Sequence, residues 1–245
     1  MRAGHVVLAV VLAVAVALVA WAAADPSGVD WGTASFVWVG ALVLVGIAAY
    51  GLRVVPAHEL SLVAALAAFA TASRVLFASL PNVKPVTFVV LVSGVGLGPG
   101  PGFMVGATTA LVSNFFFGQG PWTPWQMLDW GAVGGAGGLL GRRGRRSHAD
   151  GAGHTGAPSR WTLVVVGAIS ALAFDWTVTL YMVIPYSAHT TGAIVALYGR
   201  GLPFDVAHAA ATAFFCALFG EQAVAIVARF RSRTHVTFLD LEATP

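Results

Sequence analysis

Few residues in this sequence could do chemistry, and most of them are ionisable groups set inside apolar runs. Arg74, Asp129 and Asp175 each interrupt a stretch that is otherwise suited to lipid. A charge in hydrocarbon is costly, so such residues face a bundle interior or a wet cavity and point to binding or to ion and proton traffic. Arg74 lies near the end of its run and Asp129 one turn inside its own. Asp175 lies about 10 Å deep at about 1.5 Å per residue, so the three share a depth. Two arrangements fit that placement: an ion pair that locks helices together, or the polar floor of a substrate cavity. Lys84 sits between Pro81 and Pro85 in a connection at the same end. The segment from Phe115 to Trp130 then crowds aromatics, amides and a carboxylate together. An interfacial belt would explain Trp122, Trp125 and Trp130. It does not explain Asn114, Gln119, Gln126 and Asp129 beside them. Apolar walls with a few convergent polar groups describe a small-molecule site, and Tyr181 is a further ring able to stack there.

Enzyme motifs are missing. A single lysine leaves no Gly-Lys-Ser or Gly-Lys-Thr phosphate loop, so any ATP-driven role needs a separate ATPase. Lys84, in its connection, is poorly placed for a retinal Schiff base. His58, His189 and His208 fall at different span ends, and His148 and His154 lie in a polar loop. No HExxH, paired CxxC or Gly-x-Ser-x-Gly pattern occurs. The expectation is a protein that is not an enzyme and holds no metal or cofactor. Cys216 has no partner cysteine and reads as a packing residue.

The elements that must position these groups follow from composition. Of 245 residues, 58% are hydrophobic and 9% charged, with mean hydropathy +0.81. Soluble domains carry about 25% charged residues, so this chain is an integral membrane protein. Eight apolar segments are expected: Val6 to Ala24, Ser35 to Leu52, Leu60 to Leu80, Val86 to Leu97, Gly102 to Phe117, Trp125 to Leu140, Trp161 to Ile184 and Phe204 to Ala228. The fourth and fifth are short, and the Gly and Pro run from Leu97 to Gly102 predicts either two short helices with a tight turn or a re-entrant hairpin.

With alternating spans, one side collects Arg2, Arg53, Arg142, Arg143, Arg145, Arg146, Arg160, Arg229, Arg231 and Arg233. The other side keeps only Lys84 and Arg200. This asymmetry places both termini in the cytoplasm. The stretch from Arg142 to Ser159 reads as a flexible cytoplasmic loop that anchors orientation at anionic lipid, with a nucleic-acid patch as the weaker alternative. Ala22-Ala23-Ala24-Asp25 could be cleaved as a signal, but the long apolar run before it favours a retained helix.

On the third segment, Ala64, Ala68 and Ala72 recur every four residues and form one small-residue face. Such a face either packs inside the protein or docks a second membrane protein.

The run from Arg74 to Thr87, the pieces Gly102 to Gly106 and Ser113 to Phe115, and above all Gly118-Gln119-Gly120-Pro121-Trp122-Thr123-Pro124-Trp125-Gln126-Met127 resemble the substrate-binding S component of energy-coupling factor (ECF) vitamin transporters. The likeness covers about Pro56 to Arg233 and is nearest the actinobacterial and firmicute branch associated with cobalamin uptake. It implies a six-helix bundle with two short helices, here preceded by an extra transmembrane hairpin over 1–55 and followed by a short tail over 234–245. It also implies capture of a vitamin from outside the bacterial cell membrane, cobalamin first, with a queuosine precursor or another ring-bearing micronutrient next. Delivery would need a transmembrane coupling protein and two cytoplasmic ATPases, with Ala64, Ala68 and Ala72 matching the family's docking motif. On that resemblance the ligand would meet Arg74, Lys84, Asn114, Gln119, Gln126, Asp129 and Asp175, with Trp122, Trp125, Trp130 and Tyr181 stacking on flat groups. Nucleic acid is not an expected partner. The alternative is a membrane assembly or scaffold protein whose intramembrane charges only lock helices.

Overall fold

The computed structural model describes residues 30–149 and 158–233, and among these it is entirely helical. The helices are α1 (Trp31–Gly51), α2 (Ala57–Leu76), α3 (Val86–Leu97), α4 (Pro99–Phe117), α5 (Trp122–Ala149), α6 (Arg160–Tyr186) and α7 (Thr191–Arg233). Among them α1, α2, α6 and α7 are long and apolar enough to cross a membrane. Phe69, Phe115, Trp161 and Phe219 stand on the outer surface, where lipid suits them and water would not. These are the features of an all-α, multi-pass membrane protein. The segment Val6 to Ala24, its cleavage site and the tail 234–245 lie outside the described residues.

Short polar devices set the helix ends. Asp30 caps α1, its Oδ1 accepting the Gly32 N–H at 3.0 Å and its Oδ2 the Thr33 hydroxyl at 2.6 Å. Ser159 caps α6 by accepting the Thr162 N–H at 3.2 Å. Between α3 and α4 the break narrows to Gly98, at φ +112°, a conformation that side chains disfavour. The turn expected over Leu97 to Gly102 is therefore mostly helix. Proline suits the first turn of α4, where its missing N–H would have had no partner.

Two other boundaries differ from expectation. Helix α5 continues past Leu140 to Ala149, so the expected loop from Arg142 begins as helix. Arginine is a good helix former, so a run of arginines does not end the helix. Helix α7 begins at Thr191 rather than Phe204 and runs for 43 residues with Pro203 inside it. Thr190 starts it, its hydroxyl accepting the Ala193 N–H at 3.3 Å. Arg200 therefore lies on a helix and not in a loop. At about 1.5 Å per residue α7 is about 64 Å long, roughly twice a hydrocarbon core of about 30 Å.

Successive helices alternate in direction. Arg53, Arg142, Arg143, Arg160, Arg229 and Arg231 collect at one end, here the basic end, while Arg74 and Lys84 lie at the other. Helix α3, with 12 residues all buried, is the axis of the bundle. At about 18 Å it is short for a lipid-facing span, but its neighbours shelter it.

Glycines let those neighbours close in. A Cβ at Gly102 would strike the Gly134 carbonyl, one at Gly134 the Gly102 carbonyl, and one at Gly138 the backbone of Gly98 and Pro99. Gly98, Gly102 and Gly106 on α4's side thus face Gly138, Gly134 and Trp130 of antiparallel α5 at four-residue spacing. On α5's next face Gly137 meets the Leu91 carbonyl and Gly141 the Val95 carbonyl of α3. Small residues at such spacing are what brings backbones into contact in lipid.

Helix α1 is packed into this bundle, with Gly46 against the Phe103 ring and Gly32 against Pro185. Its basic end is tied to α2 by Tyr50, whose hydroxyl donates to Glu59 Oε1 at 3.1 Å, and by the Arg53 to Glu59 ion pair at 3.2 Å.

Candidate functional site

Arg74 ends up in the last turn of α2 because the buried stripe of that helix runs through Val63, Ala67, Ala70, Thr71 and Ser73 to it. It is 8% exposed. Its Nη1 donates to Ser113 Oγ and, at 2.7 Å, to Asn114 Oδ1 on α4, and its Nη2 reaches Gln126 Oε1 on α5 at 3.5 Å. The guanidinium also lies over the Phe117 and Trp130 rings, 4.6 and 4.8 Å from their centroids. Among the described residues no carboxylate lies within 4.0 Å of it. The ion pair expected as one option, Arg74 with Asp129 or Asp175, does not form.

Neutral partners hold the guanidinium in place of a carboxylate. Asn114 is fully buried, and its amide nitrogen donates to Thr123 Oγ1 at 3.0 Å and to Gln126 Oε1 at 2.9 Å. Thr123 in turn donates to Gln119 Oε1 at 2.9 Å, and Gln119 Nε2 donates to the Leu111 carbonyl at 3.0 Å. Gln119 is exposed and staples the α4–α5 turn; it does not reach the cavity described below.

A second network comes from α6 and α7. His208 Nδ1 meets Asp175 Oδ2 at 2.9 Å, and His208 Nε2 meets Thr87 Oγ1 at 2.8 Å. Trp130 Nε1 donates to the same Thr87 oxygen at 3.0 Å. Indole N–H can only donate, so one tautomer satisfies the whole chain: Nδ1–H donates to the carboxylate, and Nε2 accepts from the Thr87 hydroxyl. Phe174 stacks on Trp130 with centroids 4.5 Å apart and meets His208 edge-on. Trp176 Nε1 donates to Asp205 Oδ2 at 3.1 Å.

The two networks enclose a cavity of about 270 Å³, with Arg74, Asn82, Lys84, Gln126, Trp130, Phe174, Asp175, Thr179, Asp205 and His208 on its walls. Lys84 Nζ lies 5.2 Å from the Phe117 centroid. Burial, and then the nearby Arg74 charge, lower the Lys84 ammonium from its ordinary value, with Asp175 pulling the other way.

No family model, curated protein or solved structure matches the chain. Its function must then be sought in the chemistry of this cavity.

Of the residues singled out in the sequence, the cavity gathers Arg74, Lys84, Gln126, Trp130 and Asp175, with Asn114 immediately behind Arg74. Trp130 is not a free stacking surface, since Phe174 and the Arg74 guanidinium already lie over its ring. Asp129 is buried beside the cavity without lining it, and its Oδ2 has no hydrogen-bond partner. Trp125 and Tyr181 line a separate cavity of about 330 Å³ against α1, and Trp122 contacts the Tyr181 ring at 5.9 Å. Sequence reasoning missed Thr87, Ser113, Phe174, Asp205 and His208. One signal was available: Asp205 and His208 stand three apart on an apolar helix, and so on one face.

Ala64, Ala68 and Ala72 point outward, opposite the buried stripe of α2. They do not pack inside this chain.

Proposed function

We propose that this protein is the substrate-capture subunit of an ECF-type importer in a bacterial cell membrane, with the cavity between α2, α3, α5, α6 and α7 as its binding site. The cavity itself carries the reading: a buried guanidinium, held by amides and a hydroxyl with no carboxylate, faces an open space beside a second cation. A charge kept in that state is suited to a ligand. The arginines at the opposite end support placing that end in the cytoplasm and the cavity toward the outside. The resemblance from Arg74 through Met127 spans the elements that build the Arg74 network. Delivery would fall to a coupling protein and two ATPases, met by the exposed Ala64, Ala68 and Ala72 face.

The cavity's size bears on the ligand. At about 270 Å³ it lies just under the roughly 300–1,000 Å³ usual for drug-sized ligands. That favours a compact micronutrient over cobalamin, whose corrin ring and nucleotide loop are far larger.

The test is calorimetric titration of the protein in lipid nanodiscs against a vitamin panel, paired with uptake by cells that also produce a coupling protein and ATPases. Binding of one vitamin with a matching gain in uptake is expected. If no vitamin binds and uptake stays at background, the importer reading is wrong. The scaffold alternative draws support from the closed chain Asp175–His208–Thr87–Trp130, which is satisfied without any ligand. On that reading Asp175→Asn would lower thermal stability and change no binding.

A further inference from the structure

We infer that the cavity takes a compact zwitterion, with its anionic group on Arg74 and Lys84 and its cationic group on Asp175 and Asp205. This rests on the reading of the cavity as a binding site and names the ligand class that its walls select. Two cations, Arg74 and Lys84, and two carboxylates, Asp175 and Asp205, face one space of about 270 Å³, and among the described residues neither cation has a carboxylate within 4.0 Å.

Each of the four has unused capacity. A guanidinium has five N–H groups. Those of Arg74 go to Ser113, Asn114 and Gln126, which leaves Nε–H and one Nη2–H without a partner. The two remaining donors belong to adjacent nitrogens and suit the two oxygens of one carboxylate. Lys84 is held only over the Phe117 ring. On α6 and α7, Asp175 uses Oδ2 on His208 and Asp205 uses Oδ2 on Trp176, so each retains Oδ1.

The geometry discriminates by sign. A plain anion would answer Arg74 and Lys84 and crowd the carboxylates, while a plain amine would do the reverse. A ligand with both charges answers both pairs, and unlike charges several ångströms apart in a partly dry site attract more strongly than they would in water. At about 30 Å³ per water the space equals about nine waters, room for a small amino acid-like molecule or a compact heteroaromatic one.

The experiment uses the full chain in nanodiscs and titrates aliphatic and aromatic ω-amino acids against plain carboxylates and plain amines of the same size. The expected result is at least tenfold tighter binding of the best amino acid than of either matched single-charge probe. Asp205→Asn should bring that amino acid down toward the carboxylate's affinity, and Lys84→Gln toward the amine's. If carboxylates or amines bind as well as the amino acids, or if no amino acid binds, the inference is overturned. Uptake separates it from the importer reading. Zwitterion binding without energy-dependent uptake would sink the importer and leave the ligand class standing, while uptake of a purely anionic vitamin would do the opposite.

Discussion

At the scale of residues, Asn114 is the junction on which the Arg74 network depends. It accepts from Arg74 and donates to Thr123 and Gln126, and it is fully buried. Asn114→Leu would leave an Arg74 Nη1–H without its acceptor and take one partner each from Thr123 and Gln126, at about 1–3 kcal/mol for the buried group left unsatisfied. Its apparent Tm in detergent should fall by several degrees, whereas Gln119→Ala, at an exposed side chain, should change it little. Equal shifts in the two variants would show that the network does not hold the site. The need for a partner at Asn114 was legible from its place inside an apolar run. The role of His208 was not, because it is one of seven histidines and its partners Asp175 and Thr87 lie 33 and 121 residues away.

Among elements, α5 decides how tightly the bundle closes. Replacing glycine by alanine inside a helix ordinarily stabilises it by about 0.5–1 kcal/mol. At Gly134 the sign should reverse, since a Cβ there meets the backbone of Gly102. At Gly135 the nearest atom to a new Cβ is the Pro99 carbonyl oxygen, 3.9 Å away, so Gly135→Ala should be neutral or stabilising. Thermal unfolding of the pair checks this, and a loss in both variants would mean that α5 tolerates no added volume anywhere. Helix limits were legible where the chain itself forces them. Pro85 and Gly98 bracket α3, and its expected and observed bounds coincide. They were not legible at α7, where Pro203 resembles a start, and the tertiary contacts that let a helix continue through proline leave no local mark. The glycine spacing was visible along α5, but its two receiving faces belong to α3 and α4 and emerge only once the helices pack.

For the whole molecule, charge and shape divide the bundle into two ends and one open flank. The cavity lies at the end away from the basic end, and the flank is the outer face of α2, where Ala64, Ala68 and Ala72 are exposed, Ala72 at the rim of a groove with α3 and α7. If that face docks a coupling protein, added bulk there should separate two activities that a folding defect would lose together. Ala68→Trp adds volume on the outer surface, across the helix from the buried Ala70, and leaves the Arg74 network untouched. The variant should keep its thermal stability and its ligand affinity in nanodiscs. It should fail to co-purify with a coupling protein and should cut uptake at least tenfold. Ala210→Trp, at an exposed alanine on α7, serves as the control for bulk alone. Loss of binding and uptake in equal measure in Ala68→Trp, or equal loss of uptake in both variants, would count against docking on this face. Full uptake with a tryptophan at position 68 would move the coupling contact to another helix.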